Sequence, residues 1–169
     1  MKTLNYVILF SLTLAFVSCN NDDDIPPYPF TQDNLIGRYQ LDYLKSKKVS
    51  YDYIDNNIPV KITTSSEADT FSMTYEFGSN DTVTLNGTYR ITQIKKVLDK
   101  TIDSSYIEVF DQEKLPYRMF PEQRELVIDG VRYQVKDYSS TEFTLLRKTK
   151  TLDDNGNEVI FKKEMRLSK

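Results

Sequence analysis

Cys19 is the only thiol in 169 residues, and the rest of the composition limits what it can do. The chain has no His. Neither a Ser-His-Asp nor a Cys-His arrangement can therefore activate a nucleophile within it. A single Cys also excludes an internal disulfide and a Cys-based zinc site. Asp153-Asp154-Asn155-Gly156-Asn157-Glu158 carries oxygen ligands at calcium-like density. A full calcium loop ending in a bidentate Glu is missing, and β-type runs flank the segment, so it reads as a hairpin tip. Asp103, Glu108 and Asp111 are close in sequence. On an extended strand Glu108 points away from the other two, so they form no cluster. There is no Gly-rich phosphate loop and no Gly-x-Ser-x-Gly turn. No catalytic residues, no metal and no cofactor are expected. The candidate contact residues are Tyr51 and Tyr53. They sit in a segment from Ser50 to Ile62 that reads as a long first loop, able to cover the mouth of a barrel. Tyrosine combines apolar area with a low entropy cost, as a docking surface requires.

The charge balance narrows the partners. Twenty-two Lys and Arg stand against 25 Asp and Glu, a net charge of −3. A mildly acidic chain lacks the basic face that a nucleic-acid binder needs. At 39% hydrophobic and 28% charged residues it is neither a disordered chain nor a membrane-embedded bundle.

The first segment reads as an address. Lys2 precedes an apolar run of 13 residues, Leu4 to Phe16. As a helix that run spans ~20 Å, short of the roughly 20 residues a membrane span requires. It fits the apolar region of a signal peptide. Phe16-Val17-Ser18-Cys19 then resembles the lipobox of bacterial lipoproteins, with Phe16 where that family prefers Leu. The resemblance implies acylation of Cys19, removal of residues 1–18, and membrane attachment through the lipid. Several acyl chains exceed the two signals that stable anchoring takes. Asn20-Asn21-Asp22-Asp23-Asp24 follows. With Asp22, Asp23 and Asp24 it resembles the acidic export signal of surface-exposed lipoproteins in some Gram-negative bacteria. That implies display on the outer face of the outer membrane; the alternative is a solvated spacer on a periplasm-facing lipoprotein. Pro26, Pro27 and Pro29 make the next stretch a stiff, extended spacer. The expected organisation is residues 1–18 as signal, 19–31 as tether and 32–169 as one folded domain.

From Gln32 onward the apolar residues recur with period two, so the domain is expected to be all-β. Tyr39, Leu41 and Tyr43 form one run, and Phe71, Met73, Tyr75 and Phe77 another. Val83, Leu85, Tyr89 and Ile91 continue the pattern, as do Ser105, Ile107 and Val109. Val131, Tyr133 and Val135, then Phe143 and Leu145, then Val159, Phe161, Met165 and Leu167 complete it. Asp129-Gly130 and Asn155-Gly156 are two-residue hairpin signals. Asn86-Gly87 is either a hairpin turn or a kink within one long strand. Pro121 to Glu125 and Ser65 to Asp69 are the only hints of helical turns. Seven to nine short strands joined by local turns imply an up-and-down meander, and closing it into a barrel removes the exposed edges.

Leu35-Ile36-Gly37-Arg38-Tyr39-Gln40-Leu41 resembles the Leu-x-Gly-x-Trp-x-Leu opening of lipocalin-like domains, with Tyr39 in place of Trp. Tyr75-Glu76-Phe77, Asp81 to Thr84, Gly87 to Ile91 and Tyr133-x-Val135 resemble that family's later strands. The resemblance implies an eight-stranded antiparallel barrel whose interior holds side chains or one small ligand. The leading expectation is a non-catalytic, membrane-anchored lipoprotein that binds a small apolar or amphipathic ligand. The alternative is a cell-envelope protein with a solid core that docks a protein or glycan.

Overall fold

The computed structural model describes residues 28–54 and 58–169, which are almost entirely antiparallel β-structure. Cys19, Asp22, Asp23 and Asp24 lie outside the described residues. A one-turn helix, α1 (Gln32–Leu35), precedes nine strands. These are β1 (Gly37–Ile54), β2 (Ile58–Asp69), β3 (Thr74–Phe77), β4 (Thr82–Val97), β5 (Lys100–Phe120), β6 (Glu125–Ile128), β7 (Val131–Lys136), β8 (Glu142–Leu152) and β9 (Glu158–Ser168). Each pairs with the next in a meander, except that β2 and β3 share one position between β1 and β4. Pairing of β1 with β9 closes the ring, so nine strands fill eight places. The expected all-β, up-and-down barrel is present.

The strands are not uniformly short. β1 has 18 residues and β5 has 21, whereas β3 and β6 have 4 each. This difference divides the barrel into two halves. At the closed end all eight places are filled. Toward the other end only β1, β2, β4, β5, β8 and β9 continue, because the β6–β7 hairpin stops early. Its tip lies level with Pro116, whose carbonyl accepts the Asp129 amide at 2.9 Å. β5 pairs with β6 only from Tyr117 to Phe120. Likewise β8 pairs with β7 only from Thr144 to Leu146. Above these levels the two edges flank an opening two strand places wide.

An aromatic cluster fills the closed half. Tyr39 meets Phe143 at 5.0 Å and Phe77 at 5.9 Å, both edge-to-face. Phe77 meets Tyr117 at 5.3 Å, and the Tyr117 hydroxyl donates to the Gly78 carbonyl at 2.7 Å. Such pairs add to the area they bury. Leu35 of α1, Leu126, Leu145 and Leu167 are fully buried around them. Phe30 packs on Tyr138 at 4.9 Å, so the chain enters the domain at this end.

Several local expectations change. Tyr43 is half-exposed and Leu44 takes the inner place, because the β1–β9 register shifts between Leu41 and Tyr43. Ser65 to Asp69 is strand, not helix, and Pro121 to Arg124 is a turn. Asn86-Gly87 is a kink within β4. The β4–β5 register shifts there, and Gly87 has φ +117. A Cβ on Gly87 would lie 1.9 Å from the Ser72 carbonyl oxygen. The bend that separates β2 from β3 thus presses onto this glycine. Asp129-Gly130 forms the expected tight hairpin, with φ +48 and +72. Asn155-Gly156 instead belongs to a longer turn held by Asp153, whose carboxylate accepts the Asn155 and Asn157 amides at 3.0 and 2.8 Å.

Candidate functional site

Tyr51 and Tyr53 do not cover the barrel mouth. They are part of β1, paired with Lys61 and Pro59 in a long β1–β2 hairpin, on the face opposite to buried Leu44. The Tyr53 hydroxyl accepts from the Asn157 side-chain amide in the β8–β9 turn. Tyr53 therefore ties two hairpins together on the outside. Asp55-Asn56-Asn57, outside the described residues, is a weak hairpin signal in the sequence, but Ser50 to Ile62 carries no strict apolar alternation and so reads as a loop.

The residues that do converge lie on the inner face of the open half. Strand alternation carries this face upward from the core. On β9 it runs from Leu167 and Met165 to Lys163 and Phe161. On β8 it runs from Leu145 to Arg147, opposite Lys163. On β4 it holds Tyr89, Ile91 and Gln93. On β5 it holds Phe110, Glu108 and Tyr106, paired with Gly87, Tyr89 and Ile91. Tyr75 and Tyr133 rise into it from below.

Cations dominate the centre of this face. Burial, reinforced by the nearby Arg147 guanidinium, holds the Lys163 amine below its ordinary range, while Glu108 pulls it the other way. The Arg147 guanidinium sits 5.1 Å from the Phe161 ring centroid, a cation–π contact. Among the described residues neither Lys163 nor Arg147 forms a salt bridge; the five that form are elsewhere. A half-buried ammonium without a carboxylate partner is costly, and two adjacent cations more so. Tyrosines form the surroundings. Burial, then Glu108 and the neighbouring Tyr106 and Tyr133, push the Tyr89 hydroxyl up to about 12. Burial raises Tyr75 and Tyr133 as well. These hydroxyls stay neutral and can donate. Tyr89 stacks on Phe110 at 5.9 Å, which makes an aromatic floor beside the cations. Ser66 accepts from the Gln93 side-chain amide at 3.3 Å on the neighbouring strands.

The wall on the β5 side is apolar and uncovered. Ile102 and Tyr106, on the inner face, are 56% and 44% exposed. Ile107 and Val109, on the outer face, are 65% and 67% exposed. The alternation of Ser105, Ile107 and Val109 predicted a buried face, and the structure contradicts that. Their strand has no partner beyond β4 at this height, so both of its faces meet water. Glu108 does point away from Asp103 and Asp111, as strand geometry requires.

No family model matches this chain, and no curated protein or solved structure matches it. Sequence reasoning missed Lys163 and Arg147. The signal was present: Lys163 interrupts the apolar row Val159, Phe161, Met165 and Leu167, and a charge on a core-facing position marks a site more often than a surface charge does.

Proposed function

We propose that this protein is a non-catalytic, membrane-anchored lipoprotein whose open trough binds the acidic end of a small amphipathic molecule. One observation carries the reading. Lys163 and Arg147 stand side by side on the inner face without an ion-pair partner among the described residues. A carboxylate or phosphate would relieve both cations through charge-assisted hydrogen bonds. The hydroxyls of Tyr75, Tyr89 and Tyr133 supply further donors, and Phe110, Tyr106 and Ile102 supply a track for an apolar tail. The filled closed half leaves the trough as the place for a ligand.

The anchor fits this reading. A tether from lipidated Cys19 would reach the domain at the closed end, where Phe30 packs on Tyr138. The trough would then face away from the membrane. The acidic residues Asp22, Asp23 and Asp24 would direct the protein to the cell surface. The alternative, an envelope protein that docks a protein or glycan on a solid barrel, draws on the packed aromatic core.

Displacement of a fluorescent long-chain carboxylic acid separates the two. Dodecanoate should compete for the site, dodecanol should compete at least tenfold more weakly, and Lys163→Met should remove that difference. Absence of any binding, or equal competition by acid and alcohol, would sink the ligand reading and leave the docking alternative.

A further inference from the structure

The opening between β5 and β8 has two unlike edges. From Thr101 to Glu113 the β5 edge contains Asp103, Glu108, Asp111 and Glu113 and no Lys or Arg. From Arg147 to Leu152 the β8 edge contains Arg147, Lys148 and Lys150 and no acid, Lys150 being ion-paired with Glu158 of β9. Both edges are free on their outer sides over these residues, since β5 pairs only with β4 and β8 only with β9. A long exposed edge bearing apolar side chains on both faces is a template for another strand. Natural edges are commonly guarded by lysine; β8 carries two within its free stretch, whereas β5 has lysine only at the two ends of its free stretch, Lys100 and Lys114, which leaves four acids against two bases.

We propose that a second copy of this chain closes the trough, its β8 edge pairing with β5 and its β5 edge pairing with β8. Direction permits it. The strands alternate around the ring, so β5 runs from the open end toward the closed end and β8 runs the opposite way. A two-fold axis along the barrel sets each acidic β5 antiparallel to a basic β8, twice over, in an isologous and closed contact. Pairing β5 with itself would instead set like charges against one another, which is unfavourable. The two-fold runs along the barrel, so it brings the acidic stretch of β5 beside Arg147, Lys148 and Lys150 of the second copy. Tyr106, Ile107 and Val109 become covered. The partner contributes the missing wall of the trough, a conclusion that stands whether or not an amphipathic ligand enters it.

Two full-length copies with different affinity tags, expressed together, provide the test. Wild-type copies should co-purify. Asp103→Lys with Asp111→Lys should reduce self-capture at least tenfold, and so should Lys148→Glu with Lys150→Glu. All four residues are exposed. Co-expressing the two variants should restore capture, because each then meets an edge of opposite charge. Failure of the wild-type copies to associate, or failure of the mixed variants to recover, overturns the proposal. A variant that loses its cooperative melt is replaced by a measurement on the unmodified chain. Amide exchange from Thr101 to Val109 should slow as protein concentration rises, and concentration-independent exchange there overturns the proposal equally.

Discussion

Lys163 is a residue whose burial and whose neighbour Arg147 work against its charge, while Glu108 favours it. Its amine is held below the ordinary lysine value of 10.5, by burial first and by Arg147 second. A lysine with a depressed native value is destabilising while charged in both states. That cost disappears as pH rises through the folded value toward the unfolded one. Lys163→Met should therefore raise the melting temperature at pH 7, by ~2–4 °C for a gain of about 1 kcal/mol. The gain should shrink as pH approaches the unfolded value. Equal or lower stability of the Met variant at pH 7 would mean that the amine has found a partner. Gly87 is the opposite case, a residue the backbone cannot replace. With φ +117 and the Ser72 carbonyl oxygen 1.9 Å from any Cβ, Gly87→Ala must move the bend between β2 and β3. A loss of at least ~2 kcal/mol is expected by denaturant titration, above the ordinary cost of placing Ala where φ is positive. An unchanged midpoint would show that the bend moves freely.

Among the elements, β5 and the closed-half strands predict opposite responses to substitution. Val83 is fully buried in β4 beneath the aromatic cluster. Val83→Phe should overpack that core and cost about 1–3 kcal/mol. Ile107→Thr on exposed β5 should stay within about 0.5 kcal/mol when the protein is dilute. Comparable losses at both positions would contradict the division into a packed half and an open half. The same division explains what the sequence made legible. Alternation located seven of the nine strands, missing β2 and β6, and Asp129-Gly130 located its hairpin, because both depend on local geometry. Alternation could not tell that Ile107 and Val109 are exposed. That depends on β6 and β7 being short and leaving β5 without a neighbour, a non-local fact. Tyr51 and Tyr53 lie in a strand rather than in a covering loop for a related reason. The β1–β2 hairpin extends through them by pairing with Lys61 and Pro59, which lack an apolar alternation of their own.

At the scale of the whole molecule, a barrel that is solid at one end and open at the other holds its chemistry at the boundary. The aromatic core fixes the lower ends of β8 and β9, and those strands carry Arg147 and Lys163 upward into the trough. The described chain enters the domain at the closed end, where Phe30 packs on Tyr138. Ligand capture as proposed depends on one interaction, an acid meeting the Lys163 amine. Nitrogen-detected NMR of the lysine side chains, titrated with and without dodecanoate, observes it directly. The free protein should show one lysine, absent from Lys163→Met, that titrates below the others. Dodecanoate should shift that signal and raise its midpoint, since a neighbouring anion favours the charged amine. A Lys163 signal and midpoint unmoved by saturating dodecanoate would contradict the account.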